Sequence, residues 1–371
     1  MSAFHFWLHD RLGHITPRFN IYHVFKGMKK YFVRVLMIVV AAVAVSVPDA
    51  QAEEAAKVDL VPKIHGALRT RWEMDTENDA SRFQVRNARV TLNGNIAPAI
   101  DYYIQTDLCN AGKMQILDAW GRIGISRQVK FQAGQFRMPF GTDCFRGPAN
   151  YLFANRSFIG KTMCNVRAVG AKLSYTPFSL ESSDLTIEGG AFNPTSINDH
   201  NQWVKTMAFA GKAVYRLRNV KFAAGMQSLE PDSVRMNLLG GSVTWSAGRW
   251  LVEGEYMNKH YTHKRHKSAH AYNFYADYHF PVKAGVFNQA SFQGRFDGMT
   301  AHSTGTRNAD GELVTNQAAR NRVTVGGTLS YIYKNVHCDI RLDYEKYFYH
   351  HGVTVPEGEG DKVCAELVIR F

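Results

Sequence analysis

Long apolar runs are almost missing from this 371-residue sequence. One stands out, Val35–Val47, and it is too short for a spanning helix. With a slightly negative mean hydropathy, this excludes a helical membrane protein. Amphipathic helices of any length are also missing downstream of it. There is no H-E-x-x-H, no G-x-S-x-G and no phosphate loop, so no motif points to hydrolase or nucleotide chemistry. Cysteine is scarce. The five residues, Cys109, Cys144, Cys164, Cys338 and Cys364, are odd in number, which leaves at least one unpaired. Two of them, Cys144 and Cys164, bracket one long connection, where an oxidising compartment would allow a disulfide clamp or leave two buried thiols.

The apolar run has the three parts of an export signal. Met28, Lys29, Lys30 and Arg34 give a basic start, Val35–Val47 the apolar centre, and Ala50-Gln51-Ala52 a small-residue cleavage site. The expected division is a 1–52 upstream extension plus signal peptide, with translation starting at Met28 and cleavage after Ala52, and a mature 53–371 domain. Residues 1–52 hold six Lys/Arg and two Asp/Glu, so cleavage lowers the formal net charge from +12 to +8. No cysteine near the cleavage site offers a lipid anchor.

The mature chain is dominated by two-residue alternation. In "NVHCDIRLDYEKYF", Val336, Cys338, Ile340, Leu342 and Tyr344 share one face, and His337, Asp339, Arg341, Asp343 and Glu345 the other. "RVTVGGTLSYIY", "MAFAGKAVYRL" and "NARVTLNGNI" repeat the pattern. Such segments are strands with one apolar and one polar face. About sixteen can be counted, starting near 64, 83, 99, 115, 128, 167, 184, 204, 220, 234, 249, 271, 289, 322, 336 and 362. Short connections (97–99, 126–128, 218–219, 246–248, 334–335) alternate with mostly longer ones (74–82, 138–166, 193–203, 259–270, 298–321, 348–361). An even strand number with tight turns at one end and long loops at the other predicts an all-β fold, a closed antiparallel transmembrane β-barrel. The terminal "DKVCAELVIRF" keeps the alternation to its last residue, Phe371. A barrel in lipid must pair its last strand with its first, because an open edge leaves backbone groups unsatisfied.

At "VRNARVTLNGNI", "ILDAWGRI" and "FQAGQFRMPFG" the sequence resembles the phosphate-selective porin O and P family, in its Bacteroidetes-type branch. Arg86-Asn87-Ala88-Arg89 matches its basic strand, Asp118-Ala119-Trp120 its acidic-aromatic strand, and Gly134–Phe140 its G-Q-F-(basic)-x-P-F hairpin edge. The resemblance is densest over 83–176. It implies a sixteen-stranded, trimeric outer-membrane diffusion channel with short periplasmic turns and long external loops. It also implies that the 138–166 loop folds inward to constrict the pore, and that Phe371 is read by the barrel-assembly machinery.

The expected function is passive diffusion of small hydrophilic solutes across the outer membrane of a Gram-negative bacterium, with a mild preference for anions, phosphate included. No catalysis, cofactor, metal or nucleic-acid partner is expected. The expected partners are the solutes, outer-membrane lipid and two further copies of the chain. Across 137–167, Arg137, Arg146, Arg156, Lys161 and Arg167 stand against one acid, Asp143, and such a cluster at a constriction would concentrate anions. It would otherwise be a solvated loop or a set of lipopolysaccharide contacts. Arg89, Arg122, Lys172, Lys212 and Arg216 are expected on the pore wall. The wall also carries Asp101, Asp107, Glu253, Glu255, Asp297, Asp343 and Glu366, so its charge nearly cancels and argues for weak selectivity. His260, His263, His266 and His270 are interleaved with Lys259, Lys264, Arg265 and Lys267, which would repel a metal ion. They read as a solvated loop.

Two other classes fit alternation by itself. An outer-membrane barrel enzyme would need a Ser/His/acid set at one barrel end. A secreted β-sandwich or adhesion protein would bury its apolar faces as core and stay soluble without detergent.

Overall fold

The computed structural model describes residues 60–371 apart from 111, 165, 195–202, 231–233, 265, 350–354 and 356–357. The expected signal segment lies outside the described residues. Sixteen strands run β1 (Lys63–Asp75), β2 (Ala80–Ala97), β3 (Ile100–Asn110), β4 (Lys113–Gly124), β5 (Val129–Arg137), β6 (Arg167–Ser179), β7 (Ser183–Phe192), β8 (Ala208–Leu217), β9 (Val220–Leu229), β10 (Met236–Ala247), β11 (Trp250–Tyr261), β12 (Ala269–Ala284), β13 (Phe287–Met299), β14 (Arg320–Tyr333), β15 (Val336–Tyr349) and β16 (Lys362–Arg370). Each pairs antiparallel with its chain neighbours, and β1 pairs with β16 to close the barrel. Every strand begins within four residues of its expected start. The β1–β2 connection is tighter than the 74–82 span expected, because both strands run further before they turn.

Alternation left open which face is core. The described residues settle it. Outward Ile64, Leu68, Val90, Ile104, Val325, Ile340 and Leu342 are exposed, while inward Arg69, Asn87, Asp297, Arg322, Asp343 and Glu366 are buried. This inside-out distribution fits a barrel wall facing lipid and excludes a β-sandwich. The closing seam aligns Ala67–Asp75 with Arg370–Lys362. One step beyond, Gly66 and Phe371 exchange backbone hydrogen bonds of 3.0 and 3.1 Å. Phe371 therefore shares the outward face with Ile369 and Leu367. Its ring lies where a Gly66 Cβ would be, 2.3 Å from the ring carbon.

Two irregularities place the site. In β2 a bulge opposite Arg69/Thr70 leaves Arg86 as the extra residue. The bulge shifts the inward parity from Gln84 to Asn87 and Arg89, so that Arg86 also lines the lumen. In β5 the pairing with β4 stops at Ala119–Gln135, whereas pairing with β6 continues to Arg137–Arg167. Gly134 lies at φ +131°, and a Cβ there would stand 2.3 Å from the Ala119 carbonyl oxygen. At that point the β5–β6 hairpin parts from β4. Gln135 then donates to the free Ile116 and Leu117 carbonyls at 2.8 and 3.0 Å, capping the exposed edge of β4.

Candidate pore constriction

The 138–166 connection lies inside the barrel, against the wall from β10 round to β1. Gly141 (φ +78°) starts the inward turn. A side chain there would meet Met257, Cys164 and Cys144, with contacts from 2.7 to 3.1 Å. The loop has almost no secondary structure of its own, so the wall supplies partners for its backbone. Glu255 accepts the Thr142 and Asp143 N–H groups at 2.6 and 2.9 Å. Asp343 accepts Ala154 N–H at 2.5 Å and Asp297 accepts Phe158 N–H at 2.9 Å. The carbonyls are held by cations: Tyr151 by Arg341 (2.6 Å), Ala154 by Arg69 and Arg71 (2.7 and 2.8 Å), Asn155 by Arg295 (2.7 Å) and Arg156 by Arg322 (2.7 Å).

The same residues pair with one another across the wall. Arg322 reaches Asp297 at 2.8 Å and Glu345 at 3.1 Å, and Glu366 is shared by Arg69 (2.5 Å) and Arg341 (2.8 Å). The wall charges are thus not interleaved along the pore, as a count along the strands implies. Glu253, Glu255, Asp297, Asp343, Glu345 and Glu366 gather behind the loop, where backbone amides and arginines consume them, while Asp101, Asp107 and Asp118 stay on the open wall, each paired with an arginine. That corrects the expectation of a nearly neutral lumen.

What remains open is bounded mainly by β1–β6, with parts of β14–β16, on one side and the loop on the other. It consists of two chambers. The chamber at the long-loop end, about 650 Å³, is lined by Arg69, Arg71, Arg82, Arg86, Arg89, Arg137, Arg156, Lys161, Arg167, Arg322 and Lys362, with Glu73 the one carboxylate. The chamber at the short-turn end, about 550 Å³, has Arg89, Arg122, Arg137, Arg167, Lys172 and Arg370 against Asp118. Arg89, Arg137, Arg167 and Pro148 line both, so three arginines ring the passage between them.

Those three are not equivalent. Arg89 is paired with Asp107 at 2.9 Å, and Arg167 with Asp118 at 3.1 Å. Arg137 is only 8% exposed, and its Nε and Nη2 have no hydrogen-bond partner. Arg137 and Arg167 carry the parity that points outward lower in β5 and β6. They reach the lumen because the hairpin has left the wall.

The expected constriction residues divide accordingly. Arg137 and Arg167 ring the passage, and Arg156 and Lys161 line the long-loop chamber. Arg146 is taken up by Asp143 at 2.9 Å and by Glu253, and lines neither chamber. It ties the loop to β11. Burial opposes the Asp143 charge, but Arg146 and the Ser157 hydroxyl outweigh it and hold the carboxyl below its ordinary range. Arg89, Arg122 and Lys172 line the short-turn chamber, paired with Asp107, Asp101 and Glu188. Lys212 instead donates to the Gly141 carbonyl and supports the loop's first turn. Arg216 pairs with Asp184 and lines neither chamber. Arg69, Arg71, Arg82 and Arg86 were not singled out as wall residues. The R-x-A-R motif was the signal for Arg86, and the alternating "RTRWE" of β1 was the signal for Arg69 and Arg71.

Cys144 and Cys164 are brought together beneath Gly141, but as free thiols. Cys144 donates to the Phe140 carbonyl at 3.0 Å and Cys164 to the Ile159 carbonyl at 3.4 Å. Of the two readings open in the sequence, a disulfide clamp or two buried thiols, the structure holds the buried thiols. His260, His266 and His270 contact Ser268, Thr315 and Tyr256, and no metal-binding cluster occurs among the described residues.

Residues 67–215 match the family model of the phosphate-selective porin O and P. The barrel is similar to solved porins at low identity. The anion-selective porin from Comamonas acidovorans aligns over 84% of this chain and 98% of its own, with a TM-score of 0.58 and 11% identity. Salmonella typhi OmpF, solved with daunomycin, covers 84% and 97%, with a TM-score of 0.56 and 11% identity. A trimer form of OmpT from Vibrio cholerae covers 84% and 98%, with a TM-score of 0.55 and 11% identity. No curated protein matches the sequence. The matched segment contains most of β1 and all of β2 to β6, the wall that carries the three arginines where the chambers meet. Together the family match and the sixteen-stranded barrel make this an outer-membrane channel protein.

Proposed function

We propose that the porin conducts small hydrophilic anions passively, and that it works as a channel rather than as an enzyme. The observation that carries this is the segregation of charge. Both chambers hold many more cations than acids, and they meet at Arg89, Arg137 and Arg167, while Glu255, Asp297 and Asp343 are turned to the loop. Fixed cations around a narrow aqueous path raise local anion concentration and oppose cation entry. Phosphate falls within this class, in keeping with the matched family. We further propose that export uses the 1–52 segment with cleavage after Ala52, that Phe371 is part of the assembly signal, and that three copies associate. The trimer form of the Vibrio cholerae relative supports the last point.

The test is the zero-current potential of the purified porin in a planar bilayer under a potassium chloride gradient. The expected sign is that of a chloride-preferring pore, with the potential collapsing as salt rises, since screening shortens to about 3 Å at 1 M. A cation-preferring potential at low salt would overturn the reading.

A further inference from the structure

The short-turn chamber contains a feature that a bare oxyanion would not use. Phe145 sits in the inward loop, away from lipid, and is nevertheless 39% exposed. A large apolar ring open to an aqueous lumen is costly unless something covers it. Its neighbours are cations: the Arg137 guanidinium carbon is 5.9 Å from the ring centre and Lys212 Nζ is 4.6 Å. Across the chamber stand Tyr103 and Trp120, cross-strand neighbours whose rings stack 5.3 Å apart at 7°. Gly134, opposite Trp120, leaves no side chain on that stretch of wall.

The apolar rings and the unpaired guanidinium thus face one cavity of about 550 Å³. Arg137 is more than nine-tenths buried, and its Nε and Nη2 still lack partners. A buried cation with idle donors is a vacancy for an anionic head. A ring beside it is a seat for an apolar body.

We infer that this chamber is a subsite for organic anions that join one carboxylate to an aromatic ring, with the head on Arg137 and the ring against Phe145 and Trp120. The inference rests on the anion-channel reading and narrows its substrate class. Rings that merely shield the cations would leave carbon bodies without effect. Rings that bind would favour a ring-bearing acid over a small acid with the same head. The gain expected from one aromatic contact is about three- to tenfold in affinity.

The experiment compares the block of chloride current by benzoate and by acetate, added from either side of a bilayer holding the intact porin. Benzoate should block at a several-fold lower concentration than acetate. Phe145→Ala should remove that difference, with acetate block in the same variant as the internal reference. Arg137→Gln should weaken both blockers together. Cyclohexanecarboxylate distinguishes ring stacking from general apolar burial, and block equal to that of benzoate would overturn the aromatic part. Equal block by benzoate and acetate in the wild type would overturn the subsite while leaving the anion channel standing. A cation-preferring wild-type pore would instead overturn the underlying reading. Should Phe145→Ala fail to assemble, Trp120→Leu serves as the second variant, and the wild-type comparison needs no variant.

Discussion

Arginine number counts for less in this pore than arginine partnership. Arg137, at the end of β5, and Arg146, on the connection that follows, look alike in sequence. Arg146 is held between Asp143 and Glu253, so its charge is largely cancelled where it stands. Arg137 has no carboxylate partner, so its field extends into the passage. Arg137→Glu is therefore expected to move the zero-current potential towards cations at low salt. Lys161→Glu, at an exposed side chain already paired with Glu359, should move it less. The measurement is the pair of potentials under one gradient, and equal shifts would count against the ring of three arginines. Arg146→Glu should act otherwise. It places a third carboxylate beside two buried ones, and breaking a buried pair costs about 3–5 kcal/mol. Lost assembly or a widened conductance is expected, not a clean change of selectivity. This difference was not legible in the sequence. The composition of 137–167 shows five cations, but which acids meet them depends on strands a hundred residues away. Arg86 was visible as half of R-x-A-R, yet its inward orientation needs a bulge that breaks the alternation used to assign faces.

At the scale of elements the strands were readable because period two and tight turns are local properties. Each of β1 to β16 carries its own face pattern. The inward loop was readable only through resemblance, because its conformation is imposed by the wall. Between Tyr151 and Phe158, backbone groups at Tyr151, Leu152, Ala154, Asn155, Arg156 and Phe158 bond to side chains of β1 and β13–β15. Alternation counts each strand charge once and cannot see that a loop will cover it. Hence the wall looked balanced. Asp297 is the most connected of the anchoring carboxylates, since it holds Phe158 N–H and both approaches of Arg322. Asp297→Ala should loosen the loop and leave Arg322 half-paired, at a cost of about 3–5 kcal/mol. The readouts are a lower temperature for loss of the folded band in detergent and a larger or noisier unitary conductance. A wild-type conductance would mean the loop is held elsewhere. The thiols report on the same element. Cys144 and Cys164 are buried, so a bulky maleimide should miss both until the barrel is unfolded, after which all five cysteines should label. Three labels after unfolding without reductant would reveal a 144–164 bridge instead of the free pair.

Closure is a property of the whole molecule, and it can be tested at both levels the seam provides. Nine residue pairs join β1 to β16, and a tenth contact adds Phe371 over Gly66. Removing the strand would expose two edges, β1 and β15, to lipid, where each unsatisfied backbone group is costly. Deleting Lys362–Phe371 is therefore expected to abolish the folded, heat-modifiable band in unboiled detergent gels. Phe371 on its own is a smaller matter. Burying one aromatic side chain is worth about 1.5–3 kcal/mol, and this one is still 57% exposed, so its share is at the low end. The ring lies over Gly66 on the outer face, although the residue borders the short-turn chamber, so deleting Phe371 should change conductance little. Its ring covers Gly66, where a Cβ would stand 2.3 Å from a ring carbon. Gly66→Val should consequently displace the ring and reproduce whatever deletion of Phe371 does to yield in the outer membrane. Quantifying surface-localised protein and unitary conductance in both variants decides between packing and signal. Matching losses of yield with wild-type conductance would make the seam contact the cause. A loss on deletion alone would assign the effect to the terminal residue as a recognition element, and altered conductance in either would place Phe371 in the conduction path.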